Sequence, residues 1–129
     1  MFIHLIMTTT LCNSGQALFK AGRKVYKSFI SGANTESLWN QFINEAEAYL
    51  NIHTKYNWID NYASLNADVK LIAQEFCSNL AAIYAITYDM SGYTSRQEAE
   101  NMINILYARN QELLELLKDQ ATNKFIQGS

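Results

Sequence analysis

No proline occurs anywhere in the 129 residues. Proline kinks or ends helices, and a β-sandwich with many turns normally uses several. This chain can therefore run long helices without interruption, and its punctuation falls to glycine and asparagine. Gly15, Gly32, the asparagine-rich stretch 57–66 and Ser91-Gly92 supply it. These signals cut the chain into four helical segments. The expected fold is all-α: a bundle of four main helices with a short extended C-terminal tail.

The first helix is expected at about 15–30, where Leu18, Gly22, Val25 and Phe29 share a face and Gly32 suits the helix end. The second runs from about 35 to 53, capped by Asn34 or Thr35. Trp39, Phe42, Ile43, Ala46, Tyr49, Leu50 and His53 give it an amphipathic stripe. "KYNWIDNYASLNAD" then interrupts, and reads as a short helical turn inside a loop. The third helix starts near Asn66, with Asp68 in its first turn. Val69, Ile72, Ala73, Phe76, Leu80, Ile83, Tyr84 and Thr87 line one stripe, which Cys77, Ala81 and Ala82 widen. So broad an apolar face, with small residues in it, predicts a central helix touching more than one neighbour. The fourth helix starts in "YTSRQEAE". Ser95 with Glu98, or Thr94 with Gln97, fits a capping box. Its apolar face is expected from Ala99, Met102, Ile103, Leu106, Leu113, Leu116 and Leu117, ending at about 120.

The chain is long enough for one core and hardly for two. Residues 1–14 read as an N-terminal arm, 15–120 as one helical domain and 121–129 as a tail. Hydrophobic residues are 49% and charged residues 17%, which excludes a disordered chain and points to surface buried in a partner. The net charge of −2 predicts neither nucleic acid nor anionic membrane as a partner. Its distribution is uneven. Residues 1–33 hold Lys20, Arg23, Lys24 and Lys27 and no acid, while the remainder is acidic. Those four cations recur at helical spacing among aromatics in "FKAGRKVYKSF". They can contact phosphate or an acidic surface, or form a solvated face. No apolar run reaches membrane-spanning length. "MFIHLIM" is too short for a secretory core, and Met7 is an alternative start.

The residues that carry chemistry elsewhere are sparse here. His4 and His53 have no second ligand at a useful spacing, so no metal is expected. His53 ends a helix, where it favours the negative C-terminus. Cys77 lies in an apolar run and Cys12 far from it in sequence. No disulfide framework is expected, and a reducing compartment is. Pairing Cys77 with His53 as a nucleophile would need an accessible thiol in an electropositive setting. Glu45 and Glu47 point to different sides of a helix. Glu112, Glu115 and Asp119 share one face but read as a solvated one. The five glycines form no phosphate cradle. No catalytic residue and no cofactor is expected, and the chain is not read as an enzyme.

Tyrosine is abundant, with 8 copies, and several aromatics sit at turns: Tyr56, Trp58, Tyr62, Tyr88 and Tyr93. Tyrosine, tryptophan, methionine and arginine are enriched at protein interfaces. Tyr88, Met90, Tyr93, Arg96 and Trp58 are thus candidates for subunit contact. Packing of the 88–96 cluster within its own bundle is the competing reading.

"WNQFINEAEAYLN", "YNWIDNYASLNADVK", "LAAIYAITYDMSGYTSRQEAE" and "LLELLKDQ" follow one another in an order that resembles the head-to-tail connector proteins of tailed bacteriophages. These are also called adaptor or head-completion proteins. The resemblance covers residues 34–126 and is one of order and character, without a single diagnostic motif. It implies a structural protein of the virion, made in the host cytoplasm and placed at the head–tail junction. There it would form a ring, dodecameric in that family, beneath the portal protein. The ring would receive a tail or stopper (nozzle) protein and pass double-stranded DNA without reading its sequence. It also implies that a C-terminal segment, here Lys124, Phe125 and Ile126, docks on the portal. The basic N-terminal segment departs from the family's pattern. The alternative is a soluble helical regulator that binds another protein without forming a ring.

Overall fold

The computed structural model describes residues 9–21, 35–88 and 95–118. They form four α-helices and one 3-10 turn: α1 (Ser14–Ala21), α2 (Thr35–Thr54), the turn Tyr62–Ser64, α3 (Ala67–Tyr88) and α4 (Arg96–Lys118). Among the described residues there is no strand, so the all-α expectation holds. None of their helices is long and apolar enough to cross a membrane.

Short polar side chains start three of the helices. Asn66 Oδ1 accepts the Asp68 N–H at 2.8 Å, and Ser95 Oγ accepts the Glu98 N–H at 3.1 Å. Both sites are the predicted ones. A third cap precedes α1, where Asn13 and Gln16 bond each other's backbone N–H at 2.9 Å, a reciprocal capping box. α2 ends at Lys55, whose φ of 60° is left-handed and whose N–H reaches the Asn51 carbonyl at 3.0 Å. A non-glycine residue adopts that conformation only at some cost. The loop beyond is tied down by its asparagines. Asn57 holds both the backbone and the carboxylate of Asp60 at 2.9 Å, and Asn61 donates to the Asn57 carbonyl at 2.8 Å.

α3 is the centre of the bundle and packs against α1, α2 and α4. Phe76, Cys77, Ser78 and Asn79 are consecutive and all buried. At ~100° per residue, four such positions nearly encircle a helix, so neighbours must cover it on every side. Ala73, Ala81, Ala82 and Ala85 are fully buried and let those neighbours come close. α2 contributes Trp39, Phe42, Ile43, Ala46 and Leu50, as its periodicity predicts. On α4 one expectation fails. Leu116 is 53% exposed, while Leu114 and Asn110 are buried. The buried stripe runs Ala99, Leu106, Asn110, Leu113, Leu117, and Leu116 sits almost a third of a turn away from Leu117.

Besides Ser78, an amide pair and one carboxyl are enclosed in this core. Asn79 donates to Asn110 Oδ1 at 3.0 Å, and Asn110 donates to the Phe76 carbonyl at 3.1 Å, so an amide pair bridges α3 and α4. Oδ1 of Asn79 has no hydrogen-bond partner among the described residues. A buried pair of this kind fixes how two helices register, because any slip strands its polar atoms. Asn110→Leu is expected to lower stability by ~1–3 kcal/mol, the usual penalty for leaving a buried amide unpaired. The double variant Asn79→Ala/Asn110→Leu removes both polar ends and should be the more stable of the two. Denaturant unfolding of both proteins checks this.

The second enclosed group is Glu47, on the buried side of α2. Its Oε2 accepts the N–H groups of Thr10 and Leu11, each at 2.8 Å. That single oxygen anchors the segment before α1 to α2. Burial pushes the carboxyl of Glu47 above its ordinary range, and the two backbone donors only partly offset this. Glu45, two residues earlier, is exposed, as expected.

Candidate assembly surface

Of the predicted contact residues, Trp58, Tyr88 and Arg96 fall within the described part of the structure. Trp58 is corrected outright: it is fully buried, not a subunit contact. Its indole N–H donates to Thr54 Oγ1 at 2.8 Å, and its backbone N–H to Asn51 Oδ1 at 2.9 Å. The loop folds back, so an aromatic residue at a turn becomes a plug for the end of the bundle. Tyr88 closes α3 and is 63% exposed. One edge of its ring still meets Phe42 of α2, with centroids 5.9 Å apart. Phe42 also lies against Trp39 and Tyr84, each at 6.3 Å, so this end of the bundle carries an aromatic group with Tyr88 outermost. Tyr88 thus packs on its own chain and keeps most of its surface outside.

Arg96 lies on the surface, paired with Glu100 at 2.8 Å. An exposed pair one turn apart adds little stability. Met90, Tyr93, Arg23, Lys24, Lys27, Lys124, Phe125 and Ile126 lie outside the described residues, as does His4. Lys20 is half-buried beside a shallow cleft of about 410 Å³ between α1 and α3, with Phe19 and Glu75 also on its walls. His53 stacks on Tyr49, centroids 4.1 Å apart.

A surface that periodicity did not pick out runs along α4. Ile105, Arg109, Glu112 and Leu116 recur every three to four residues and form a second stripe beside the buried one. Ile105 is 66% and Leu116 53% exposed. Between them Arg109 crosses to Glu75 of α3, with bonds of 2.8 and 3.3 Å to its two carboxylate oxygens, and also reaches Glu112 at 3.2 Å. The bond to Arg109 holds the Glu75 carboxyl below its ordinary range despite some burial, helped by the charges of Arg109 and Lys20. The guanidinium is therefore fixed as part of the surface. Phe19 on α1 is 82% exposed and Leu71 on α3 61%, and Ile52 on α2 is 70% exposed. Every helix of the bundle thus leaves at least one large apolar side chain outside.

Some of this was readable in advance. Glu47 falls between Ile43 and Leu50 at the spacing of the buried stripe, and Asn110 between Leu106 and Leu113. A polar residue on an apolar stripe is the available signal in both cases. Comparison with known protein families, with curated proteins and with solved structures finds no match for this chain.

Proposed function

We propose that this chain is a structural assembly protein of a tailed-phage particle, an adaptor that forms a ring beneath the portal and joins capsid to tail. The observation that carries this reading is the set of large apolar side chains left outside, above all the Ile105–Leu116 stripe on α4. Apolar residues scattered singly over a surface need no explanation. Two of them aligned about a fixed arginine–carboxylate group make a ready helix-to-protein contact. The helical bundle, the resemblance of residues 34–126 to connector proteins, and the outward face of Tyr88 agree with it. Work by such a protein is non-covalent: apolar surface is buried between subunits and against neighbouring rings. DNA would pass through the ring without sequence recognition.

The test is to mix the purified chain with the portal ring of its own phage. Co-sedimentation of the two is expected. The variant Ile105→Glu/Leu116→Glu should keep its helical content and lose ring assembly by at least tenfold in concentration dependence, because two charges would be buried at the contact. A folded wild-type chain that ignores the portal would overturn the reading in favour of a soluble protein-binding regulator.

A further inference from the structure

The exposed stripe of α4 reads the same from both ends. Ile105 and Leu116 lie equally far from the midpoint between Asn110 and Gln111, and so do Arg109 and Glu112. At ~100° per residue the four positions fall within about 60° of one another around the helix, so they share one strip. Each pair is matched in kind: two large aliphatic side chains, and a cation with an anion. Ile105 and Leu116 are both more than half exposed, and Ala108, on the edge of the strip, is exposed and small.

We propose that this strip binds a second copy of the same chain, with the two α4 helices antiparallel about a two-fold axis. Ile105 of each copy then covers Leu116 of the other, and Arg109 of each faces Glu112 of the other. Every contact is made twice, as a self-complementary interface requires. A parallel pair would set Arg109 against Arg109 and Glu112 against Glu112, so charge selects the antiparallel one. The proposal stands apart from the portal reading. A two-fold contact closes at two copies and builds no ring; it keeps the apolar strip from water in the free chain.

The arginine is already placed for this contact. Within its own chain Arg109 bonds Glu75 through Nε and Nη2, and Glu112 through Nη1. Each terminal nitrogen of a guanidinium carries two N–H groups, so Nη1 and Nη2 each keep a second donor for the Glu112 carboxylate of the other copy. Because Glu75 fixes the guanidinium, docking costs little further side-chain freedom. Leu71 lies one turn before Glu75 on the same side of α3 and is 61% exposed, which adds apolar surface beside the bridge. One helix face is a small contact, so the pair is reversible and forms as concentration rises.

The test is sedimentation velocity of the full chain, alone, at concentrations rising to about 1 mM, high enough to populate a weak pair. The mass should move from 14.7 kDa towards twice that value. Ile105→Glu/Leu116→Glu should keep its helical content and need at least tenfold more protein for the same shift, since each glutamate would be buried against another. Gln111→Glu, about a third of a turn from the strip, should behave as wild type. Cysteine cross-linking reads the register. Cys12 and Cys77 are buried, so Ile105→Cys and Leu116→Cys each add one accessible thiol. Mixed and mildly oxidised, the two variants should form a covalent dimer at least tenfold faster than either alone. Like positions lie about 16 Å apart in the antiparallel pair, beyond the reach of a disulfide. A chain that stays at 14.7 kDa throughout would overturn the proposal. So would assembly beyond two copies, a dimer that the two glutamates leave unchanged, or single cysteine variants that cross-link as fast as the mixture.

Discussion

Trp58→Ala should remove about 3–5 kcal/mol of stability, the range for truncating a large buried aromatic side chain. The indole is fully enclosed and meets Tyr56 edge-on at 5.0 Å. It is also the end of a hydrogen-bond relay. The indole N–H donates to Thr54 Oγ1, which donates to the Leu50 carbonyl, both at 2.8 Å. Truncation empties the site and unties the loop from the end of α2 together. Trp58→Phe separates the two effects: it keeps much of the packing and loses the indole N–H, for about 1 kcal/mol beyond the change in volume. Guanidinium unfolding of the three proteins measures both steps. A surface contact residue would behave in the opposite way, with assembly changed and stability near wild type. The size of the Trp58→Ala effect therefore also checks the correction of that residue from interface to core.

Glu47→Ala should cost about 2–4 kcal/mol. One carboxylate oxygen serves two backbone donors, and the Leu11 bond is buried, so alanine strands N–H groups that have little access to water. Glu47→Gln should cost much less, because an amide oxygen can accept both bonds. The pH dependence separates the two further. Burial raises the folded-state pKa of Glu47 above the unfolded value near 4.5. The folded chain then binds the proton more tightly than the unfolded one. The stability this contributes is fully present below pH 4.5 and is lost as pH rises through the raised folded value. Wild type should therefore lose stability relative to Glu47→Gln as pH is taken upward from 4.5 towards neutrality. Parallel curves for the two proteins would show that Glu47 titrates alike in both states.

Both effects arise where a loop or an arm folds back onto a helix, and there reading the sequence alone falls short. Periodicity is a local property of one helix, and it identified α2, α3 and α4 with their caps at Asn66 and Ser95. The breadth of the stripe around Phe76 and Cys77 also marked α3 as central, since a helix apolar on most sides must be covered on most sides. The fate of a turn residue depends on which way the chain folds after it. Trp58 and Tyr88 looked alike as turn-located aromatics, yet Trp58 is buried and Tyr88 exposed.

What the amino-acid order determined by itself is α2, α3 and α4 with their limits, the start of α1, and the identity of the middle helix; the expected end of the first helix near residue 30 lies outside the described residues. The proline-free runs, the three-to-four spacing and the short polar caps act within a few residues of one another. Tertiary structure alone decided that Glu47 holds the arm, that Asn79 faces Asn110, and that Leu116 is left outside. Each of those depends on the angle and register at which two helices or a helix and an arm are packed. That choice is made by the whole core at once, because moving any one pair strands buried polar atoms or opens space elsewhere.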